Sequence, residues 1–113
     1  MSASDVYKAV TGAGVKCAPM AWQKGTAPDL PWAVYLLSED APVMADGKRY
    51  AECHRWDVEL YQRERDADLE SALCTAIAER FGPYTLSEQW VSSENCSMLT
   101  VTFNDYDEGS HNG

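Results

Sequence analysis

A chain of 113 residues, 45% hydrophobic and 24% charged, is long enough for one hydrophobic core and too apolar to stay unfolded for lack of burial. Its formal net charge of −9, with 18 carboxylates against nine Lys and Arg, excludes the broad basic surface that tight phosphate binding needs, so DNA and RNA are not expected as tight ligands. The start, "MSASDVYKAV", has no basic segment leading into an apolar run, and no stretch is apolar over membrane-spanning length. These features predict a soluble intracellular protein with no membrane partner.

In chain order, Ser4 or Asp5 can cap a first short helix with Val6, Ala9 and Val10 as its apolar stripe and Gly12 and Gly14 ending it. "VKCAPMAW", Val15 to Trp22, reads as an interrupted strand, because Pro19 removes a ladder donor and suits an edge or a bulge. A breaker-rich loop, Gln23 to Pro31, leads to "WAVYLLSE", Trp32 to Glu39, the most continuous apolar run and a candidate central strand covered on both faces. Asp40 to Lys48 carries Pro42 and an Asp46-Gly47 turn signal, which predicts a hairpin tip or a longer loop projecting from the sheet.

"AECHRWDVELYQRERD", Ala51 to Asp66, then supplies a strand. The spacing of Leu69, Ala72, Leu73, Ala76, Ile77 and Phe81 predicts a helix from about Ala67 to Phe81, capped by Asp66 or Asp68 and stopped by Gly82 and Pro83. Tyr84 to Tyr106 reads as two strands joined by a turn near Ser93 to Asn95. The order α-β-β-β-α-β-β predicts the α+β class: a single mixed or mainly antiparallel sheet with helices on one side. Residues 1–106 form the expected domain, and the acidic tail 107–113 is expected to be disordered.

Chemistry concentrates in the Ala51 to Asp66 strand. Alternation sends His54, Trp56, Val58 and Leu60 one way and Cys53, Arg55, Asp57, Glu59 and Tyr61 the other. Cys53 and His54 therefore diverge, which denies a cysteine nucleophile its base and hinders shared metal ligation. Cysteines at 17, 53, 74 and 96 form no Cys-x-x-Cys pair and read as free, partly buried thiols. Trp22, Trp32, Trp56 and Trp90 share no spacing and read as core or interface residues. No Gly-rich phosphate loop and no Ser-His-Asp signature appears, so neither cofactor, metal nor catalytic residue is expected. The face bearing Arg55, Asp57 and Glu59, continued by Arg63 and Arg65 with Glu64 and Asp66, alternates in sign. It reads either as a solvated face with weak ion pairs or as a polar interface with another copy of the chain.

Several segments in sequence order, Pro31-Trp32-Ala33-Val34-Tyr35, Trp56-Asp57-Val58-Glu59-Leu60-Tyr61, Asp66-Ala67-Asp68-Leu69-Glu70 and Trp90-Val91-Ser92-Ser93-Glu94, resemble the tail terminator group of siphophages and prophages, also described as minor tail or minor capsid proteins. In that group a P-Y-x-V-Y strand precedes an Asp- or Asn-bearing loop, a Y-x-V-E-L-Y strand runs into an acidic-start helix, and a W-x-x-S-E hairpin follows. Here Trp32 and Trp56 replace the commoner Tyr, and Cys53-His54 has no counterpart in the pattern.

The resemblance implies a structural protein, not an enzyme. It would form a six-fold ring that caps the tail tube and joins it to the head-neck complex. Its partners would be further copies of itself, the tail tube protein and a head-neck protein, with DNA passing through the channel without tight binding. It would reside in the virion tail or neck and, during assembly, in the host cytoplasm. A closed ring requires heterologous contacts. The expected interface residues are Asp40, Asp46, Lys48 and Arg49 at the projecting segment, and Arg55, Asp57, Glu59, Arg63 and Arg65 on the alternating stretch. The alternatives are another neck protein, head closure or head-tail adaptor, and, from a different class, a small-ligand binding or hydrolytic domain using Cys53 and His54.

Overall fold

The computed structural model describes residues 3–22, 28–45 and 48–107, with side chains described outside residue 3, 38–53 and 105–107. Helix α1 (Ala3–Gly12) leads through a short edge strand β1 (Cys17–Pro19) to two long strands, β2 (Trp32–Ala45) and β3 (Lys48–Gln62). Helix α2 (Ala67–Phe81) precedes the hairpin of β4 (Tyr84–Val91) and β5 (Cys96–Asp107). The five strands form one mixed sheet in the order β1-β2-β3-β5-β4, with β1 parallel to β2 and every other pairing antiparallel. The α+β class and the order of elements match the sequence reading.

Period-two alternation builds the core. Ala33, Leu60 and Leu99 form one cross-strand row, Tyr35, Val58 and Val101 the next, and Leu37, Trp56 and Phe103 a third. All but Leu37 at the rim are buried beneath Val6 and Val10 of α1 and Leu73, Cys74 and Ile77 of α2. The Phe81 and Phe103 rings lie 4.6 Å apart, and Tyr35 and Trp56 6.2 Å apart. Each fully buried Val, Leu or Phe contributes about 1.5–3 kcal/mol of transfer free energy, so this single layer between sheet and helices carries most of the stability.

The ends of α2 follow from its flanking residues. Asp66 accepts the Leu69 amide at 3.1 Å as N-cap, while Gly82, at φ +93, donates its amide to the Ala78 carbonyl at 2.9 Å. An ion pair of 2.6 Å from Arg80 to Asp5 ties the two helices together.

Two expectations need correction. β2 is covered by helices on one face only: Ala33 and Tyr35 enter the core cluster, whereas of the alternate positions Val34 is buried with no described helix over it and Trp32 and Leu36 are half-buried. A continuous apolar run can thus serve a helix-packed face and a second, partly apolar face at once. The segment after Glu39 is also strand rather than loop. β2 continues through Pro42 to Ala45, pairing Asp40 with His54, Pro42 with Glu52 and Ala45 with Lys48. Pro42 is tolerated because β1 ends opposite Tyr35, leaving β2 unpaired on that side. Register shifts between Leu37 and Glu39 and between Val43 and Met44 absorb one extra residue each. Since β5 ends at the Glu52–Asp107 pair, residues 43–45 and 48–51 form a two-stranded arm that, among the described residues, pairs only with itself. Asp46 and Gly47 lie outside the described residues. β5 runs through Asp107, one residue past the expected domain end, and the rest of the expected tail, 108–113, also lies outside them.

Candidate interaction surface

Both helices lie on one side of the sheet, and among the described residues no helix covers the other. Two cross-strand rows define that helix-free face: Val34, Glu59, Thr100 and Ser87, then Leu36, Asp57, Thr102 and Thr85. Asp57 and Glu59 are half-buried and already oriented by neighbours. The Thr102 hydroxyl donates to Asp57 Oδ1 at 2.7 Å, and the Tyr61 hydroxyl donates to Glu59 Oε1 at 3.0 Å. Burial, with the Glu59 carboxylate next in effect, pushes the Tyr61 phenol up to about 12, so it stays a neutral donor. Such fixed carboxylates retain acceptor capacity for an incoming partner.

At one end of this face the aromatic residues converge. Trp22 meets Trp32 edge-on at 6.1 Å, and Trp32 leans on Tyr61 at 4.7 Å. Beside them opens a cleft of about 620 Å³, lined by Asp29, Trp32, Tyr61, Arg63, Glu94 and Cys96 among others. Trp22 joins the aromatic group and Asp29 the cleft, which strand spacing does not foretell. Trp56 is a core residue, and Trp90 is 56% exposed on the edge strand β4.

The expected interface residues separate. Arg55, Asp57 and Glu59 share the strand β3 as expected, with Arg55 exposed and standing between Glu39 and Asn104 in register. Arg63, beyond the end of β3, lines the cleft. Arg65 turns to the helix side, where it pairs with Glu70 at 2.6 Å and with Glu88 of β4. Asp40, Lys48 and Arg49 stand opposite His54, Ala45 and Met44 in the β2–β3 register, and their side chains, like all of Asp46, lie outside the described residues. The sequence reading missed Thr100 and Thr102, whose alternation places them on this face once β5 is known to pair with β3. It also missed Gln62, 2% exposed, whose amide donates to Glu70 Oε2 at 2.7 Å and accepts the Asp66 amide at 3.0 Å.

The described cysteines are buried thiols. Burial raises Cys17 to about 12 and also raises Cys74 and Cys96, so none is a thiolate nucleophile at neutral pH. His54 is half-buried next to Trp56 in the strand alternation, and Cys53 is described only by its register with Ala41 and Tyr106. Among the described residues no group of three His, Cys, Asp or Glu side chains has a metal-binding arrangement, and no helix is long and apolar enough to cross a membrane. Compared with protein-family models and with curated proteins, the sequence matches none.

Proposed function

We propose that this chain is a structural virion protein of the phage tail terminator type. It assembles as a ring that caps the tail tube and offers a docking surface to a head-neck protein, while DNA passes through the channel without tight binding. One observation carries the reading: among the described residues the sheet is sealed by helices on one face only, while the opposite face presents oriented, half-buried Asp57 and Glu59 beside half-buried Leu36. A ring subunit requires two different patches, one for each neighbour. In this reading the helix-free face meets one neighbour. The self-paired arm, residues 43–45 and 48–51, reaches the next layer, either tube or neck. The role is structural rather than catalytic, and assembly takes place in the host cytoplasm before the protein becomes part of the virion neck.

The test pairs native mass spectrometry of the concentrated protein with complementation of tails that lack their terminator. Six-fold rings and capped tails are expected for the parent chain. Replacing residues 43–51 by an Asn-Gly turn is expected to leave melting nearly unchanged and to abolish head joining. A parent chain that stays monomeric and caps no tails would refute the proposal.

A further inference from the structure

The sheet ends at β4, and no described residue pairs with the outer edge of that strand. In an antiparallel ladder every second residue of an edge strand directs its N–H and C=O away from its partner, so β4 offers a row of unused backbone donors and acceptors. Natural edges are blunted by Lys, Pro, bulges or very short length. "YTLSEQWV" has none of these, and its one charged residue, Glu88, is matched by Arg65: it runs eight residues, contains neither Lys, Arg nor Pro, and pairs with β5 residue for residue from Tyr84–Phe103 to Val91–Cys96. By contrast, the edge strand β1 on the other side has three residues and ends at Pro19.

The side chains of β4 favour the same outcome. Tyr84, Leu86 and Trp90 are 36%, 51% and 56% exposed, and alternation places all three on the helix side of the sheet. The fourth residue of that row, Glu88, has its charge matched by Arg65. A chain with a net charge of −9 repels its copies in general, but this strip is locally neutral and apolar.

From this edge we infer that a second copy of the chain adds to β4, antiparallel and about a two-fold axis at Ser87, making one continuous sheet across two subunits. The register follows from self-complementarity. With Ser87 opposite Ser87, Tyr84 faces Trp90 twice and Leu86 faces Glu88 twice, all on the helix side. Moving the axis to Glu88 would oppose two carboxylates, and placing it between residues would pair side chains from different faces. The exposed parts of Tyr84, Leu86 and Trp90 amount to roughly 300 Å² per copy by typical side-chain areas, below a standard interface, so the dimer is weak and dependent on concentration. This contact is isologous and closes at two, which sets it apart from the heterologous contacts of the proposed ring. It does not rest on that reading.

Disulfide trapping in a Cys53→Ser background tests both the dimer and its register. Ser87→Cys places two thiols across the axis at antiparallel-pair spacing and is expected to cross-link rapidly under mild oxidation. Thr85→Cys alone, which faces Gln89, is expected not to cross-link, while the Thr85→Cys, Gln89→Cys double variant does. Sedimentation equilibrium of the Asp57→Asn, Glu59→Gln variant, in which the proposed ring contacts are weakened, is expected to show a reversible dimer, itself weakened at least about tenfold by adding Ser87→Lys, which opposes like charges at the axis. Equal trapping of Ser87→Cys and Thr85→Cys would overturn the register. If the Asp57→Asn, Glu59→Gln variant stays monomeric into the millimolar range, or dimerises unchanged after Ser87→Lys, the proposal is overturned, whereas capping of tails by the parent chain decides the ring reading separately.

Discussion

The two faces of β3 differ sharply in burial. On the helix side Trp56, Val58, Leu60 and Gln62 are all at most 8% exposed, while across the same backbone Arg55 is exposed and Asp57, Glu59 and Tyr61 are half-buried. The helix side makes its contacts with α1, α2 and the rows of β2 and β5. The other side makes polar contacts within the sheet and leaves its outer surface uncovered by helices. One strand can therefore hold the fold with one set of alternate residues and leave the other set available for recognition, because consecutive side chains never share a face.

The sharpest way to break this contrast is Trp56→Ala. Removing a large buried side chain costs about 3–5 kcal/mol, and thermal or urea denaturation is expected to show that loss. Trp56→Phe is expected to recover much of it, since the buried Trp56 Nε1 has no hydrogen-bond partner and its removal strands no other group. A Trp56→Ala variant melting like the parent would invert the assignment of faces.

Next in size is Gln62→Ala. The change strips one partner from Glu70 and leaves the Asp66 amide without its acceptor, at a cost of about 1–3 kcal/mol by the same measurements. It would show that the polar end of the helix-side row fixes the start of α2 as firmly as apolar residues fix its middle.

Glu70→Gln is expected to have a smaller effect with a distinctive pH dependence. The Arg65 guanidinium, and after it the Gln62 amide, hold the Glu70 carboxyl below the usual range despite the opposing influence of burial. Because the folded state depresses this pKa, the stabilisation is fully present above the unfolded carboxylate value of about 4.3 and is lost as pH falls through the lower folded value. Parent and variant should therefore differ by a constant amount from neutral pH down to about 5 and converge in more acidic solution. A gap that widens on acidification would contradict the assigned pairing.

The smallest effect on stability belongs to the helix-free face. Asp57→Asn with Glu59→Gln keeps an acceptor for Thr102 and Tyr61, so melting is expected to change by no more than about 0.5 kcal/mol. In the proposed ring the same pair of changes should sharply reduce assembly and tail capping. Normal capping by this variant would remove the carboxylates from the interface and direct attention to the arm.

Sequence alone determined the elements whose signals are local. The 3.6-residue spacing of Leu69, Leu73, Ile77 and Phe81, bracketed by Asp66 and Gly82, fixed α2 at the bounds observed, and period two in β3 sorted Trp56, Val58 and Leu60 from Asp57 and Glu59. Both signals arise from backbone geometry that each segment carries by itself. Tertiary structure decided the rest. Pro42 read as a break because the sequence does not state which strand side lacks a neighbour, and only the end of β1 opposite Tyr35 leaves that side unpaired. Arg65 read as a continuation of the Arg55 face, yet past Gln62 the chain leaves the pleat, and the guanidinium is drawn to Glu70 and Glu88. Trp22 meets Trp32, and Trp32 meets Tyr61, although no spacing links them, because tertiary packing brings together residues that no local period relates. The open edge of β4 is of the same kind: whether a strand has one neighbour or two is a property of sheet order, set by long-range pairing rather than by the strand's own residues.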